Sequence, residues 1–328
     1  MTDHSNIRRV MLIRDILLEH SDENHVLSIT DIINHLRRYY GSEYKVSRNT
    51  VRSAIQELQN GGFNIEELIK DNTVYYSHIH RKFEIHELRM LIDAVSSAKF
   101  ITPAETNRLI EKIKALTSRH QARKLHHQIT VDPTVKAKNE EVKYHIDKIH
   151  TAINEQKMLH FKYGNYNTNK DFVFRREGAF YTVIPLGLVW NSDYYYLVAK
   201  KDPADVHVKH YRVDRMKNVS ISDDRFNETE FNISTHLKQT FNMYPGDVES
   251  VEIQFHNHLI NVVIDRFGRD IIIHEVDNDT FSITIRAALS EGLLRWLLMW
   301  GSDAKVISPQ SLIDKMRSES KKMFEKYS

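Results

Sequence analysis

The stretch from Tyr181 to Arg215, YTVIPLGLVWNSDYYYLVAKKDPADVHVKHYRVDR, constrains the fold of this chain more than any other. Short runs of apolar and β-branched residues separated by turn formers read as antiparallel strands. Val183, Ile184, Leu186, Leu188, Leu197, Val198 and Val213 supply the material of a small core. Among them sit Trp190, Tyr194, Tyr195, Tyr196, Arg212 and Arg215, which such a core does not need. Aromatic faces and guanidinium groups together stack on and neutralise an anionic ligand.

The strand pattern begins earlier. A helix from about Asn139 to Lys157 leads into LHFKYGNYNT, where Leu159, Phe161 and Tyr163 alternate with His160 and Lys162. Further strands are expected over Phe172–Arg176, Ala179–Leu186, Leu188–Trp190, Tyr194–Lys200 and Val206–Arg212, with turns at Gly164, Glu177-Gly178 and Asn191-Ser192-Asp193. So many short strands in so few residues predict a small, strongly bent barrel of the SH3 or Sm type. In the last strand alternation sets His207, Lys209 and Tyr211 on one face and Val208, His210 and Arg212 on the other, so a basic site must draw on several strands.

The N-terminal 80 residues have a different period. Val10, Ile13, Ile16 and Leu17 mark a first amphipathic helix, and Ile32, Ile33 and Leu36 a second that starts behind a Ser28/Asp31 capping box and ends at Gly41. A third runs from its N-cap Ser47 to Gly61 with Val51, Ala54, Ile55 and Leu58 inward. Its other face carries Asn49, Arg52, Ser53 and Gln56, with Arg48 at the first turn and no carboxylate before Glu57. Such donors reach base edges and phosphates in a major groove. A hairpin over Ile65–Ile69 and Val74–Ile79, turning near Asp71-Asn72, completes a winged helix. Ser47, Arg48, Asn49, Thr50, Arg52, Ser53 and the wing residue Lys70 are the candidate DNA contacts; the competing reading is a protein-interaction module with a solvated helix face.

Residues 81–138 hold two helices, striped by Leu88, Leu91, Ile92 and Val95 and then by Leu109, Ile110, Ile113 and Leu116, the second opened by Thr102, Pro103 and Glu105. A basic connector follows, in which the adjacent His126 and His127 point apart and are poor co-ligands. Beyond Val251 the order strand, helix, strand, strand, helix, strand, helix predicts a ferredoxin-like α/β sandwich. The expected fold is therefore multidomain α+β: a winged helix over 1–80, a helical hairpin and linker over 81–138, the barrel over 139–228 and the sandwich, a possible dimer contact, over 229–328.

Composition narrows the function. With no cysteine among 328 residues, disulfides, thiol nucleophiles and thiolate metal sites are excluded. The charged start MTDHSNIRRV lacks the apolar core of a signal peptide, and no apolar run is long enough to cross a bilayer, so a cytoplasmic address is expected. The net charge of +2 hides a positive excess in residues 81–150, where 14 Lys/Arg meet 9 Asp/Glu. No nucleophile elbow, Walker A loop or glycine-rich dinucleotide turn occurs, so neither catalysis nor a cofactor is expected. The histidine pairs His78/His80 and His256/His258 have no matching partners in sequence and read as strand or surface residues rather than metal ligands.

The segments IPLGLVWNSDYYYLVAK (184–200) and YRVDRM (211–216) resemble the WYL-domain transcriptional regulators, bacterial proteins with an N-terminal helix-turn-helix, a WYL domain and often a C-terminal extension. VSRNTVRSAIQEL is similar to their recognition helix, and IDRFGRD, LLRWLLMWG and VISPQSLIDKM to their C-terminal extension. The Trp-Tyr-Leu that names the domain stands here as Tyr195-Tyr196-Leu197, which keeps a stacking surface and loses an indole donor. A homodimer would let two recognition helices read half-sites about one helical turn apart, so a near-palindromic double-stranded operator is expected. The resemblance implies a basic pocket for a nucleotide or single-stranded nucleic-acid effector. It assigns Tyr196, Arg212 and Arg215 to that pocket, with Trp190, Tyr195 and Lys162 as weaker candidates. In the competing arrangement the tyrosines cover the core and Arg215 pairs with Asp214 or Asp193. An accessory protein of a defence or DNA-repair system, acting through protein partners, is the alternative function.

Overall fold

The computed structural model describes residues 3–125, 136, 141–205, 207–227 and 231–328. The His126-His127 pair, the expected helix start at Asn139, Val206 and the boundary at 228–229 fall outside them. The chain divides into two compact units, Met1–Lys138 and Asn139–Ser328.

The first unit opens with α1 (Asp3–His20), β1 (Leu27–Ser28), α2 (Ile29–Tyr40) and α3 (Arg48–Asn60), followed by the hairpin strands β2 (Glu66–Lys70) and β3 (Thr73–Ser77). Helical spacing buries Ile13, Leu17, Ile32, Leu36, Val51 and Ile55 in one core. The capping box is present: Ser28 Oγ accepts the Asp31 N–H while the Asp31 carboxylate accepts the Ser28 N–H at 2.9 Å. Ser47 caps α3, accepting the Thr50 N–H at 3.1 Å. Asp71 and Asn72, at φ 49° and 57°, make the two-residue hairpin turn whose twist suits paired strands. The two-residue β1 is too short to show as a pattern; it pairs with β3, giving the sheet order β1-β3-β2. Then come α4 (Ile85–Ser97), α5 (Pro103–Lys114) and α6 (Arg119–Ala122), with Leu88, Ile92, Ile110 and Leu125 as their small core. Ser118, the N-cap of α6, donates to the buried Asp22 carboxylate at 2.5 Å.

The second unit begins with α7 (Val142–Asn154) and a curled antiparallel sheet of β4 (Lys157–Tyr166), β5 (Phe172–Phe174), β6 (Tyr181–Asn191), β7 (Tyr194–Lys200), β8 (Lys209–Arg212) and β9 (Met216–Arg225). The order is β5-β4-β6-β7-β8, with β9 also on β4. Two expected strands, Ala179–Leu186 and Leu188–Trp190, are one. The register shifts between Pro185 and Gly187 without ending the strand, because a bulge absorbs the proline. β9 is a strand that its polar sequence hides; its pairing with β4 shifts register twice, which blurs the alternation. Phe172–Arg176 stops at Phe174, since Arg176 and Glu177 turn back at φ 52° and 54°.

After α8 (Ile233–Gln239) the chain makes β10 (Val248–His256), α9 (Ile260–Phe267), β11 (Ile273–Glu275), β12 (Thr280–Ala288), α10 (Glu291–Leu298), β13 (Ala304–Ser308) and α11 (Gln310–Tyr327). The sheet order is β11-β12-β10-β13, with every neighbouring pair antiparallel. Val251, Ile253 and Phe255 alternate inward against Val263, Leu293 and Leu297, building the largest core of this unit.

Candidate anion-binding cleft

A cleft of about 570 Å³ opens beside β8, the edge strand of the curled sheet. Its floor is aromatic. Tyr163 from β4, Tyr181 from β6 and Tyr211 from β8 meet edge to face, with ring centroids 5.3 to 6.1 Å apart. Phe161 lies under them, stacked on Tyr181 at 5.6 Å. The Tyr163 hydroxyl accepts the Arg212 backbone N–H at 3.1 Å, which ties β4 to β8. Burial raises the Tyr163 and Tyr196 phenols, and burial beside Tyr181 pushes Tyr211 up to about 12. All three stay neutral at physiological pH and keep an O–H to donate.

Five cations line this floor and no carboxylate does: Arg175, Arg176, Lys209, Arg212 and Arg215. The guanidinium of Arg176 lies 4.4 Å from the centre of the Tyr181 ring and that of Arg175 5.7 Å from Tyr163. The left-handed backbone at Arg176 is the local conformation that returns this pair over the floor. Arg212 stacks 3.4 Å from the centre of Tyr194 and forms a forked pair with Asp214, at 3.1 and 2.7 Å. Burial penalises the Arg212 charge, but Asp214 more than offsets that, so its pKa is raised and its plane is fixed. Arg215 donates to Asn165 Oδ1 at 3.0 Å rather than pairing with Asp214 or Asp193. Asp214 instead serves Arg212 because the turn after β8, Val213–Arg215, brings residue 214 back over 212.

The roof is the segment Asn242–Pro245, which follows α8. Asn242 and Met243 both have left-handed backbones, at φ 50° and 59°. Met243 is held through its carbonyl by His210 Nδ1 at 2.6 Å. A site of this make-up offers π-faces for a planar ring and fixed donors for phosphate or carboxylate oxygens.

The structure therefore brings Tyr196, Arg212 and Arg215 into one cleft. Trp190 and Tyr195 lie outside its lining: they are cross-strand neighbours whose rings pack at 5.4 Å, and Trp190 is 52% exposed. Alternation along β7 sends Tyr195 to the face opposite Tyr194 and Tyr196. Lys162 is also outside, its ammonium over the rings of Phe174 and Phe180 at 5.7 and 5.2 Å. Sequence reasoning missed Arg175, Arg176, Tyr163, Tyr181 and the roof. The doubled arginine before Glu177-Gly178 was the available signal; nothing marked the roof, which comes from residues some thirty positions beyond Arg212. Lys209 and Arg212 both reach the cleft despite their alternation, because it opens along the free edge of β8.

In the first unit Arg48, Asn49, Arg52 and Ser53 are exposed on α3, and Lys70 is exposed at the hairpin tip. Arg48 donates to Thr30 Oγ1 at 3.1 Å. Ser47 and Thr50 are engaged with each other in the cap, with hydroxyls 2.8 Å apart. His78 is committed to the Asn64 carbonyl at 2.7 Å, and His80 faces Glu66 at 3.3 Å. Among the described residues no cluster of three or more His, Asp or Glu could hold a metal ion, and no helix is long and apolar enough to cross a membrane.

Solved structures similar to the chain include the following two. One is described as proteasome accessory factor B/C (PafBC) of Arthrobacter aurescens, at 17% identity and TM-score 0.27, covering 96% of this chain and 47% of its own. The other, described as a CRISPR Cas-related protein, has 14% identity and TM-score 0.24, with coverages of 99% and 84%. The chain thus spans about half the length of the first. No curated protein matches the sequence. Residues 144–221 match the WYL domain, and residues 247–324 match the WCX domain. The matched segments include all five cations of the cleft, while its roof lies between them, so that the chain carries a WYL domain and a WCX domain joined by the segment that covers the site.

Proposed function

We propose that the protein is a cytoplasmic, DNA-binding transcriptional regulator, acting as a homodimer, whose WYL domain senses a nucleotide or single-stranded nucleic acid. The observation that carries this reading is the cleft: five cations and no carboxylate over a floor of neutral tyrosines. Proteins with WYL domains are typically regulators, and the cleft supplies the charge and stacking that a nucleotide needs. The curled sheet is consistent with an SH3-like barrel. The order β13-β10-β12-β11 supports a ferredoxin-like sandwich at the C-terminus.

On this reading the first unit is a winged helix. Arg48, Asn49, Arg52 and Ser53 face the major groove, and Lys70 touches a neighbouring phosphate. Ser47 and Thr50 support those contacts by capping α3. A twofold dimer places two such helices about one helical turn apart on a near-palindromic operator. Effector binding alters operator affinity through its preference for one of two dimer arrangements. Neither catalysis nor a cofactor is part of this account.

The test is a titration of the full chain against its own upstream DNA over a salt series. A steep salt dependence is expected, with affinity lost in the Arg48→Ala/Arg52→Ala double variant. A slope near zero, or unchanged affinity in that variant, sinks the DNA reading. Preference for single-stranded over duplex DNA together with retention by a protein partner would favour an accessory role in defence or repair.

A further inference from the structure

A second cavity, of about 960 Å³, lies wholly within the first unit, where α1, the segment after β3, the end of α5 and α6 face one another. Its walls combine apolar side chains with charged ones. Phe63 lies on the imidazole of His78, with centroids 4.4 Å apart and planes 10° from parallel. Phe83 and Leu116, 38% and 47% exposed, line the same space. These are large apolar groups that the small core of α4 and α5 leaves uncovered.

The charges around this shelf are not balanced. Each of the three carboxylates in the lining already has a cation: Asp15 pairs with Arg14 at 2.8 Å, Glu19 with Arg119 at 2.5 Å and Glu111 with Lys114 at 2.9 Å. Arg81, Lys82 and Arg123 line the cavity with no carboxylate at ion-pair distance among the described residues, though the buried Asp22 carboxylate attracts Arg81 from farther off. Arg81 is the most enclosed of the three. One of its N–H groups is spent on the Ser21 carbonyl at 2.7 Å, which fixes the guanidinium and leaves further donors.

We propose that this groove binds a small planar aromatic anion, its ring against Phe63, Phe83 and Leu116 and its acid group on Arg81, Lys82 and Arg123. The volume is within the range of small-molecule sites, and apolar walls with a few convergent charges are their usual make-up. Asp15, Glu19 and Glu111, though paired, keep this lining from being purely cationic, unlike the cleft of the second unit. The ligand would bridge the trihelical core to α6 and, by binding only the folded arrangement, hold them together. This site is independent of the nucleotide reading of the WYL domain.

The experiment is a fluorescence titration of the full chain with 8-anilinonaphthalene-1-sulfonate, beside N-phenyl-1-naphthylamine as its uncharged counterpart. Saturable binding of the sulfonate is expected, at least tenfold tighter than the amine. The Lys82→Gln/Arg123→Gln variant, which changes two exposed side chains, should weaken the sulfonate at least tenfold and leave the amine unchanged. Equal affinity for the two probes, or parental sulfonate affinity in the double variant, would each overturn the proposal.

Discussion

The Nε2 atoms of His210 and His236 stand 2.8 Å apart, a separation that lets one ring donate to the other only if at least one is neutral. His210 Nδ1 also meets the Met243 carbonyl at 2.6 Å, so this nitrogen carries the proton and Nε2 accepts from His236. The pair joins β8, the cationic edge of the cleft, to α8 and the roof.

This arrangement makes stability depend on pH. Burial, with His236 adding to it, holds the His210 imidazole down at about 4 against an ordinary 6.5. A histidine depressed in the folded state costs nothing above the unfolded value, and stability falls as pH drops from 6.5 towards 4, where the unfolded chain binds the extra proton. The full gap corresponds to about 3 kcal/mol. Denaturant unfolding between pH 7 and 4.5 should show most of that loss, and His210→Gln should flatten it; identical profiles for variant and parent would refute the assignment.

Arg215→Ala and Arg176→Ala should each weaken binding of a short single-stranded oligonucleotide to the full chain by about tenfold, as expected for a charge-assisted contact. The log-log salt slope should fall by about 0.7 per cation removed. Trp190→Ala, outside the lining, should leave affinity unchanged. Equal losses in all three variants would mean that the oligonucleotide lies elsewhere.

Gly292 offers a test in which two effects compete. Replacing a helical glycine by alanine ordinarily stabilises by about 1 kcal/mol. Here a Cβ would stand 2.1 Å from the Phe241 carbonyl oxygen and 2.9 Å from its carbon, and backbone cannot turn aside as a side-chain tip can. Gly292→Ala should therefore destabilise, by about 1 to 3 kcal/mol as for overpacked cores. Unfolding of the second unit monitored through Trp296, which packs 5.2 Å from Phe241, would report it. A stabilised variant would show that α10 sits farther from this loop.

Capping and recognition on α3 should separate cleanly. Ser47→Ala removes the acceptor of the Thr50 N–H and should cost about 1 kcal/mol of stability. Arg52→Ala, exposed on the helix face, should leave thermal unfolding within about 0.5 kcal/mol of the parent while lowering DNA affinity. Arg52→Ala with parental affinity for the operator would remove this face from the interface.

Elements built from neighbours in sequence are legible in the sequence itself. Ser28 with Asp31, Ser47 with Gly61 and Thr102 with Pro103 announced helix ends that the structure places as expected, because a cap is a hydrogen bond across three or four residues. The aromatic and aliphatic run Tyr194–Lys200 likewise declared a strand, and Asp71-Asn72 a turn. The cleft was legible only in part. Arg212 and Arg215 stood out as guanidinium groups beside tyrosines, yet their company was decided by tertiary structure: a left-handed turn carries Arg175 and Arg176 back, Tyr163 comes from a strand some fifty residues away, and the roof comes from the segment after α8. Trp190 and Tyr195 carried the same chemistry in sequence and were turned to another face by strand alternation. The sequence by itself determined where helices begin, where strands alternate and which residue types could meet an anion. Which of them converge was decided by the curl of the sheet, because a site assembled across strand edges depends on register and turn geometry that no local pattern encodes.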